Sequence, residues 1–357
     1  MIRRAGAQVP QLEPHVAVVV PCYNYGRFLT ECVESIVNQT GVRTSVHVID
    51  DASTDDSFVV AERLADRYEA VSVTRHETNR GHIATYNEGL SAVESDYVVL
   101  LSADDLLAPG ALGRATSLME AYPNVGLVYG HPQVFTDQPK RGGTNVRSWS
   151  VWPGERWVRA QFNRGLGIIY SPEAVVRTSV HHSVGYYRAE LPHSGDLEMW
   201  LRVAAAADVG RVNGPDQAYR RVHPESMMQT GFGTVAKDLE ERFRAYQSFL
   251  ETADGKQIRG ALVLAEMARR RASTEALYWA ASVDPKDHSA EDEVQRAVEF
   301  AHRVNADVTR MPAWQAYQKC RTGNVSGIRE RLLLAQSYLD SEVGGRLRWR
   351  RWQRYGY

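Results

Sequence analysis

Val16-Ala17-Val18-Val19-Val20-Pro21-Cys22-Tyr23-Asn24-Tyr25-Gly26, followed by an amphipathic run over 28–39, is the stretch on which the fold turns. The β-branched residues 16–20 read as a strand. In the run that follows, Leu29, Cys32, Val33, Ile36 and Val37 share one helical face, as packing against a sheet requires. The same alternation recurs: strand 46–49 before helix 58–68, strand 71–74 before helix 83–93, then strand 97–101. Strands of this kind, apolar on both faces, are expected between helix layers in an α/β protein with a mostly parallel central sheet.

Outward from that core the pattern weakens. Residues 130–192 are rich in Gly, Pro, Trp and Tyr and read as loops and short strands facing a substrate. A helix is expected over 196–206, and from Thr234 the periodicity is helical alone, with Leu239, Phe243, Tyr246 and Leu250 on one stripe and Val294, Ala297, Val298, Ala301 and Val304 on another. The expected organisation is a loose lead over 1–14, an α/β domain over 15–233 with halves 15–130 and 131–233, and an α-helical region over 234–357.

The 357 residues are 43% hydrophobic and 24% charged with a net charge of -1, enough for a sizeable core and unlike a nucleic-acid binder. The cysteines, Cys22, Cys32 and Cys320, make no metal-type cluster. With no signal-type or membrane-spanning apolar run, a cytoplasmic protein is expected. The end of the chain interleaves Arg346, Arg348, Trp349, Arg350, Arg351, Trp352, Arg354 and Tyr355. Such a tail suits peripheral contact with an anionic membrane face, an anionic acceptor, or a partner subunit, and the helical stripes before it suit a homo-oligomer contact.

Each strand end carries polar groups, where open α/β sheets bind ligands. After the first strand comes Pro21-Cys22-Tyr23-Asn24; a plain strand-to-helix turn is the preferred reading of the segment taken alone, but Tyr23 offers a flat aromatic surface for a nucleobase. After the second come Asp50-Asp51-Ala52-Ser53-Thr54-Asp55. Ser53 or Thr54 reads as a helix cap, but adjacent buried carboxylates need donors, which a base N–H or ribose hydroxyl would supply. Asn79-Arg80-Gly81-His82, with Asn87 and Gly89 beyond, offers Arg80 to a diphosphate or serves as a cap. Finally Ser102-Ala103-Asp104-Asp105 ends a very apolar strand, and carboxylates placed there favour a hard cation such as Mg2+ or Mn2+ over a bare solvent turn.

In this order the motifs resemble the inverting GT-A glycosyltransferases of family two, over about 16–229. The resemblance implies a Rossmann-like GT-A fold and transfer of a sugar from a UDP-, TDP- or GDP-linked donor to the hydroxyl of a glycan, lipid-linked glycan or small metabolite. It places Pro21 and Tyr23 beside the base, Asp51 on base or ribose, and Asp104 on the metal, with Asp105 adjacent. Where the family often has Asp-x-Asp, this chain has Ser102. Gly195-Asp196-Leu197-Glu198 resembles the segment holding the general base, which makes Asp196 that base with Glu198 nearby. Gly195 stands where the family commonly has Glu, and a helix cap is the plainer role for Asp196. The segments 171–177, with Arg177, and 184–187 resemble the acceptor side. The segment 219–226 resembles one that closes over the diphosphate, with His223 as metal ligand or phosphate contact. A nucleotidyltransferase or dinucleotide oxidoreductase is excluded by the lack of a glycine-rich loop after the first strand. A noncatalytic member that only binds a sugar nucleotide or a partner is the alternative that Ser102 and Gly195 leave open.

Overall fold

The computed structural model describes residues 2–3, 13–140, 142–226, 234–284 and 287–322. They divide into two compact units. One is formed by the described residues up to Val158 and by Gly167–Pro224, the other by Arg159–Leu166 and the described residues from Glu225 to Thr322.

The first unit is a mixed sheet with helices against it. Its strands are β1 (Ile2–Arg3), β2 (His15–Cys22), β3 (Arg43–Asp50), β4 (Val71–Arg75), β5 (Tyr97–Leu100), β6 (Leu106–Leu107), β7 (Val125–Phe135), β8 (Ser148–Trp152), β9 (Val175–Arg177) and β10 (Asp208–Arg221). The order across the sheet is β1-β8-β10-β7-β9-β5-β2-β3-β4, with β6 on β10. β4, β3, β2 and β5 run parallel, as do β7 and β10, whereas β9 joins β5 to β7 antiparallel. The helices are α1 (Gly26–Val37), α2 (Ser57–Arg67), α3 (His82–Ser91), α4 (Ala111–Ala121), α6 (Thr178–Val184) and α7 (Gly195–Ala206), with the first residues of α5 (Gly154–Arg164).

The sequence pattern explains this half. α1 buries Leu29, Cys32, Val33 and Ile36 against the β2 and β3 valines, the expected face. Gly89 of α3 is there because a Cβ would lie 2.4 Å from Val19 Cγ1 and 2.8 Å from Ile49 Cδ1, so only glycine lets the helix sit this close to the sheet. All of β5 is buried. The expectation of two apolar faces fails for β3 and β4, however. His15, Ser45, His47 and Ser72 line an open cleft of about 400 Å³ on the α3 face. α3 ends at Ser91 and does not cover the early part of these strands, so that face stays polar.

The long strand β7 runs into the stretch expected as loops and short strands, and a second long strand, β10, follows α7, where no strand was expected. β10 passes through Gly214-Pro215 with register shifts against β7 between Arg211 and Asp216. Its fully buried Arg211 donates to Asn213, whose amide bonds Ser148 and Ser150 of β8.

The second unit is helical: α8 (Val235–Glu251), α9 (Ala253–Gln257), α10 (Ala261–Ser282), α11 (Glu291–Val304) and α12 (Pro312–Arg321). α8 buries Leu239, Phe243, Tyr246 and Phe249, and Phe162 packs 4.5 Å from the Tyr246 ring. Leu250, expected on this stripe, is only half-buried because Phe249 holds the core position. On α11 the buried stripe is Val294, Ala297, Phe300 and Ala301. Among the described residues no helix is long and apolar enough to cross a membrane. The basic-aromatic tail over 346–355 lies outside the described residues.

Candidate active site

The ends of β2 and β3 are tied together by side chains. Asn24, at a φ of 59°, donates its N–H to Ser53 Oγ (3.0 Å) and accepts from the Thr54 N–H through Oδ1 (2.8 Å). Ser53 and Thr54 therefore do not cap α2, contrary to expectation. The helix starts at Ser57, whose N–H donates to Asp55 Oδ1 at 2.9 Å. Tyr23 projects from this corner 46% exposed, leaving a ring face open, with Pro21 half-buried just before it.

Asp51 is buried and already well supplied with donors. Its Oδ1 accepts from the Arg80 N–H (2.8 Å) and lies 2.7 Å from His76 Nδ1, and its Oδ2 accepts from the Gly81 N–H (2.9 Å). Burial raises the proton affinity of this carboxyl, but the Arg80, His76 and Gly81 donors outweigh it and hold Asp51 below the usual carboxylate range. The donors that its position demands thus come largely from the chain itself, although a carboxylate has room for one more. Asp50 is fully buried, with Oδ2 accepting from the Ser53 N–H (3.3 Å), Arg75 Nε at 3.5 Å, and Oδ1 unpartnered. The Arg80 guanidinium, 55% exposed, pairs with Glu88 at 2.7 Å. His76, which belongs to none of the sequence motifs, follows β4 directly and bridges Asp51 to Glu88. Only its place at a strand end could have pointed to it.

Beyond β5, Asp104 Oδ2 lies 3.1 Å from His223 Nε2. Asp105 is buried, and burial together with the Asp104 charge raises its carboxyl well above the ordinary range, although its Oδ1 accepts the Arg221 N–H at 2.8 Å. The Arg221 side chain donates to the Asp104 carbonyl (3.0 Å) and to Glu31 (2.6 Å), and sits 4.6 Å from both the Phe28 and Phe135 rings. Among the described residues no group of three or more His, Cys, Asp and Glu converges as a metal cage. The Asp104–His223 pair nonetheless fits Mg2+ or Mn2+. Two adjacent ligands of an octahedral ion at roughly 2.1 Å stand about 3 Å apart, and such ions complete their shell with water and phosphate.

On the other side α7 carries Asp196 in its first turn, half-buried. Burial raises its proton affinity and outweighs the opposing pull of the Ser171 and Tyr187 hydroxyls and of His82 and His193. Tyr86 is sensitive to both ends of the site: burial and then the charges of Asp196, Asp104 and Asp105 raise its hydroxyl. α3 anchors this side, because the Asn87 side chain exchanges two 2.8 Å hydrogen bonds with the Tyr187 backbone, and His82 Nε2 meets the Pro192 carbonyl at 3.0 Å. Glu198 is fully buried and pairs with Arg202 and Arg188, while Arg202 donates to the Val184, Gly185 and Tyr186 carbonyls. Its place is under the turn that presents Tyr187. Arg177 lies apart from the other candidates, at the start of β5 opposite Tyr97, bonding the Val125 and Met119 carbonyls.

The open α/β sheet with acidic strand ends gives the first unit the GT-A fold. Residues 17–184 match the model described as Glycosyl transferase family 2. EpsE of Bacillus subtilis (strain 168), named as a glycosyltransferase, is 28% identical over 192 residues, 53% of this chain and 66% of that protein. The glycosyltransferase GlyG of Streptococcus pneumoniae serotype 4 is 34% identical over 92 residues, 26% of this chain and 31% of its own. The chain thus matches less than two thirds of the length of either relative. Among solved structures, S. aureus TarS 1-349 in complex with UDP-GlcNAc superposes with a TM-score of 0.63 at 17% identity, covering 87% of this chain and 91% of that one. The mannosyltransferase PcManGT from Pyrobaculum calidifontis, in complex with GDP-Man and Mn2+, does so with a TM-score of 0.53 at 16% identity, covering 92% and 85%. At such identities the likeness speaks for the fold.

Proposed function

We propose that this protein transfers a sugar from a nucleoside-diphosphate donor to an acceptor hydroxyl, using a divalent cation and inverting the anomeric carbon. The observation that carries this reading is the sharing of one neighbourhood, around Tyr86, by the Asp104 end of the site and by Asp196 with its raised proton affinity. The sugar nucleotides bound by TarS and PcManGT, and the Mn2+ in the latter, support the same donor chemistry.

In this reading Tyr23 lies against the base and Asp51 accepts from base or ribose with its remaining capacity. Arg80 swings from Glu88 to the diphosphate, and Asp104 and His223 hold Mg2+ or Mn2+. A cation held by Asp104 and His223 would supply neutralisation of the charge that grows on the leaving diphosphate. Asp196 takes the proton of the attacking acceptor hydroxyl, and its raised proton affinity makes it a stronger base than an exposed aspartate. No carboxylate nucleophile is required for inversion.

The test is a thermal-shift panel of UDP, TDP, GDP and CMP with and without Mn2+, followed by a transfer assay with the matching sugar donor. A Mn2+-dependent shift with one diphosphate, lost in Asp104→Ala, is expected. No shift with any of them would replace transfer with the noncatalytic reading.

A further inference from the structure

Between the two carboxylate ends of the site lies an acid that the proposed reaction leaves unused. Glu173 lies two residues before β9 (Val175–Arg177). β9 runs antiparallel to β5, with Tyr97 opposite Arg177 and Val98 opposite Val176. Glu173 lies in the turn that precedes this strand, where its charge, that of Asp105 and that of Asp196 oppose one another. Two residues earlier in the same turn Ser171, held at a φ of 72°, turns its hydroxyl toward Asp196. The turn is therefore within electrostatic reach of both Asp196 and Asp105.

Glu173 is only 2% exposed. Its Oε1 accepts the Tyr170 N–H at 2.9 Å, whereas Oε2 is buried with no hydrogen-bond partner. A buried acceptor left empty is costly, and Asp196 and Asp105 oppose any charge on it, with Arg220, stacked 4.9 Å from the Tyr170 ring, in partial compensation. The core around β9 does not call for an acid at this position.

In the proposed reaction the diphosphate sits at the Asp104 end and the acceptor hydroxyl at Asp196, so what lies between them is the sugar ring. We propose that Glu173 Oε2 is the hydrogen-bond partner of a ring hydroxyl of the transferred sugar, which makes Glu173 a specificity-determining residue. This rests on the glycosyl-transfer reading. Burial pushes the Glu173 carboxyl up to about 7, so near neutrality it can donate as well as accept, which suits a hydroxyl that does both.

The experiment compares wild type, Glu173→Ala and the isosteric Glu173→Gln in binding the matched nucleoside diphosphate with Mn2+, the intact nucleotide sugar, and analogues deoxygenated at single ring positions. Diphosphate affinity is expected to stay within about twofold in all three, while Glu173→Ala binds the nucleotide sugar roughly 10- to 100-fold more weakly. Wild type should discriminate against one deoxy analogue, Glu173→Ala should not, and Glu173→Gln should recover part of the preference. Unchanged sugar affinity and discrimination in Glu173→Ala would overturn the proposal, as would an equal loss of diphosphate and nucleotide-sugar affinity in both variants. A wild type that binds diphosphate while the variants keep its sugar preference sinks this inference alone. A wild type that binds no nucleoside diphosphate sinks the transfer reading and this inference with it.

Discussion

The Asp51 corner and the Asp196 corner are both acidic ends of one unit, yet they are built in opposite ways. At Asp51 the His76 ring and the Arg80 and Gly81 N–H groups already meet the carboxylate and hold it ionised. At Asp196 burial dominates, a neighbouring serine sits at a positive φ, and the Glu173 Oε2 has no partner. The Asp51 carboxylate is satisfied before any ligand arrives, although Asp50 Oδ1 beside it is not, whereas the Glu173 oxygen near Asp196 is left in want of a partner. Satisfied polar clusters stabilise a fold, whereas unsatisfied ones reduce its stability and are kept where chemistry needs them.

The largest effect expected from this contrast is on turnover. Asp196→Asn should cut kcat by about two to four orders of magnitude while diphosphate affinity stays nearly constant, because only the proton transfer is lost. The same base predicts a pH profile of activity whose acidic limb lies above the ordinary aspartate range, since Asp196 must lose a tightly held proton. A limb at the ordinary position would remove the raised base from the mechanism. At the satisfied corner, Asp51→Ala leaves buried donors without an acceptor and should cost about 2–4 kcal/mol in denaturant unfolding. An unaltered midpoint would mean that the two corners are not so different.

Glu173→Gln inverts the usual sign. The folded carboxyl titrates at about 7 against a reference of 4.5, so the folded state binds the proton more tightly and loses stability as pH rises from about 4.5 to 7. The amide removes that loss, so the variant should be more stable at pH 8 by up to roughly 3 kcal/mol and gain nothing near pH 4. Denaturation curves at the two pH values decide it, and a pH-independent difference would contradict the buried-acid assignment. The smallest effect belongs to Gly81, which has a φ of 83° and no atom within 4 Å of the place a Cβ would take. Gly81→Ala should cost about 1 kcal/mol through backbone conformation alone. A loss much beyond that would show that the Asp51 hydrogen bonds break as well.

The alternation from β2 through β5 could be read from sequence because valine-rich runs and the 3.6-residue spacing of α1 obey local rules. Asp104 stood out because a carboxylate there ends a very apolar strand, whereas Asp196 and His223 were reached only through the family resemblance. β7 and β10 were hidden, since Gly130, Pro132, Gly214 and Pro215 carry turn signals and Arg211 looks like a surface residue. Its charge is accommodated only by pairing across strands far apart in the chain. For Glu173 the one available signal was an acid between a proline and an apolar run, and its empty oxygen exists only in three dimensions. The cap at Ser53 or Thr54 failed because those residues bind Asn24 across the strands instead of serving their own helix.

Gly195 has one more implication. A side-chain carbon there would come within 3.1 Å of the Tyr187 ring, whose hydroxyl faces Asp196. The ring occupies the volume that a larger residue at 195 would claim, and Asn87 keeps its backbone from stepping aside. Positions 187 and 195 are thus coupled: any side chain at 195 requires the Tyr187 ring to give by a few tenths of an ångström, and that movement shifts the hydroxyl facing Asp196.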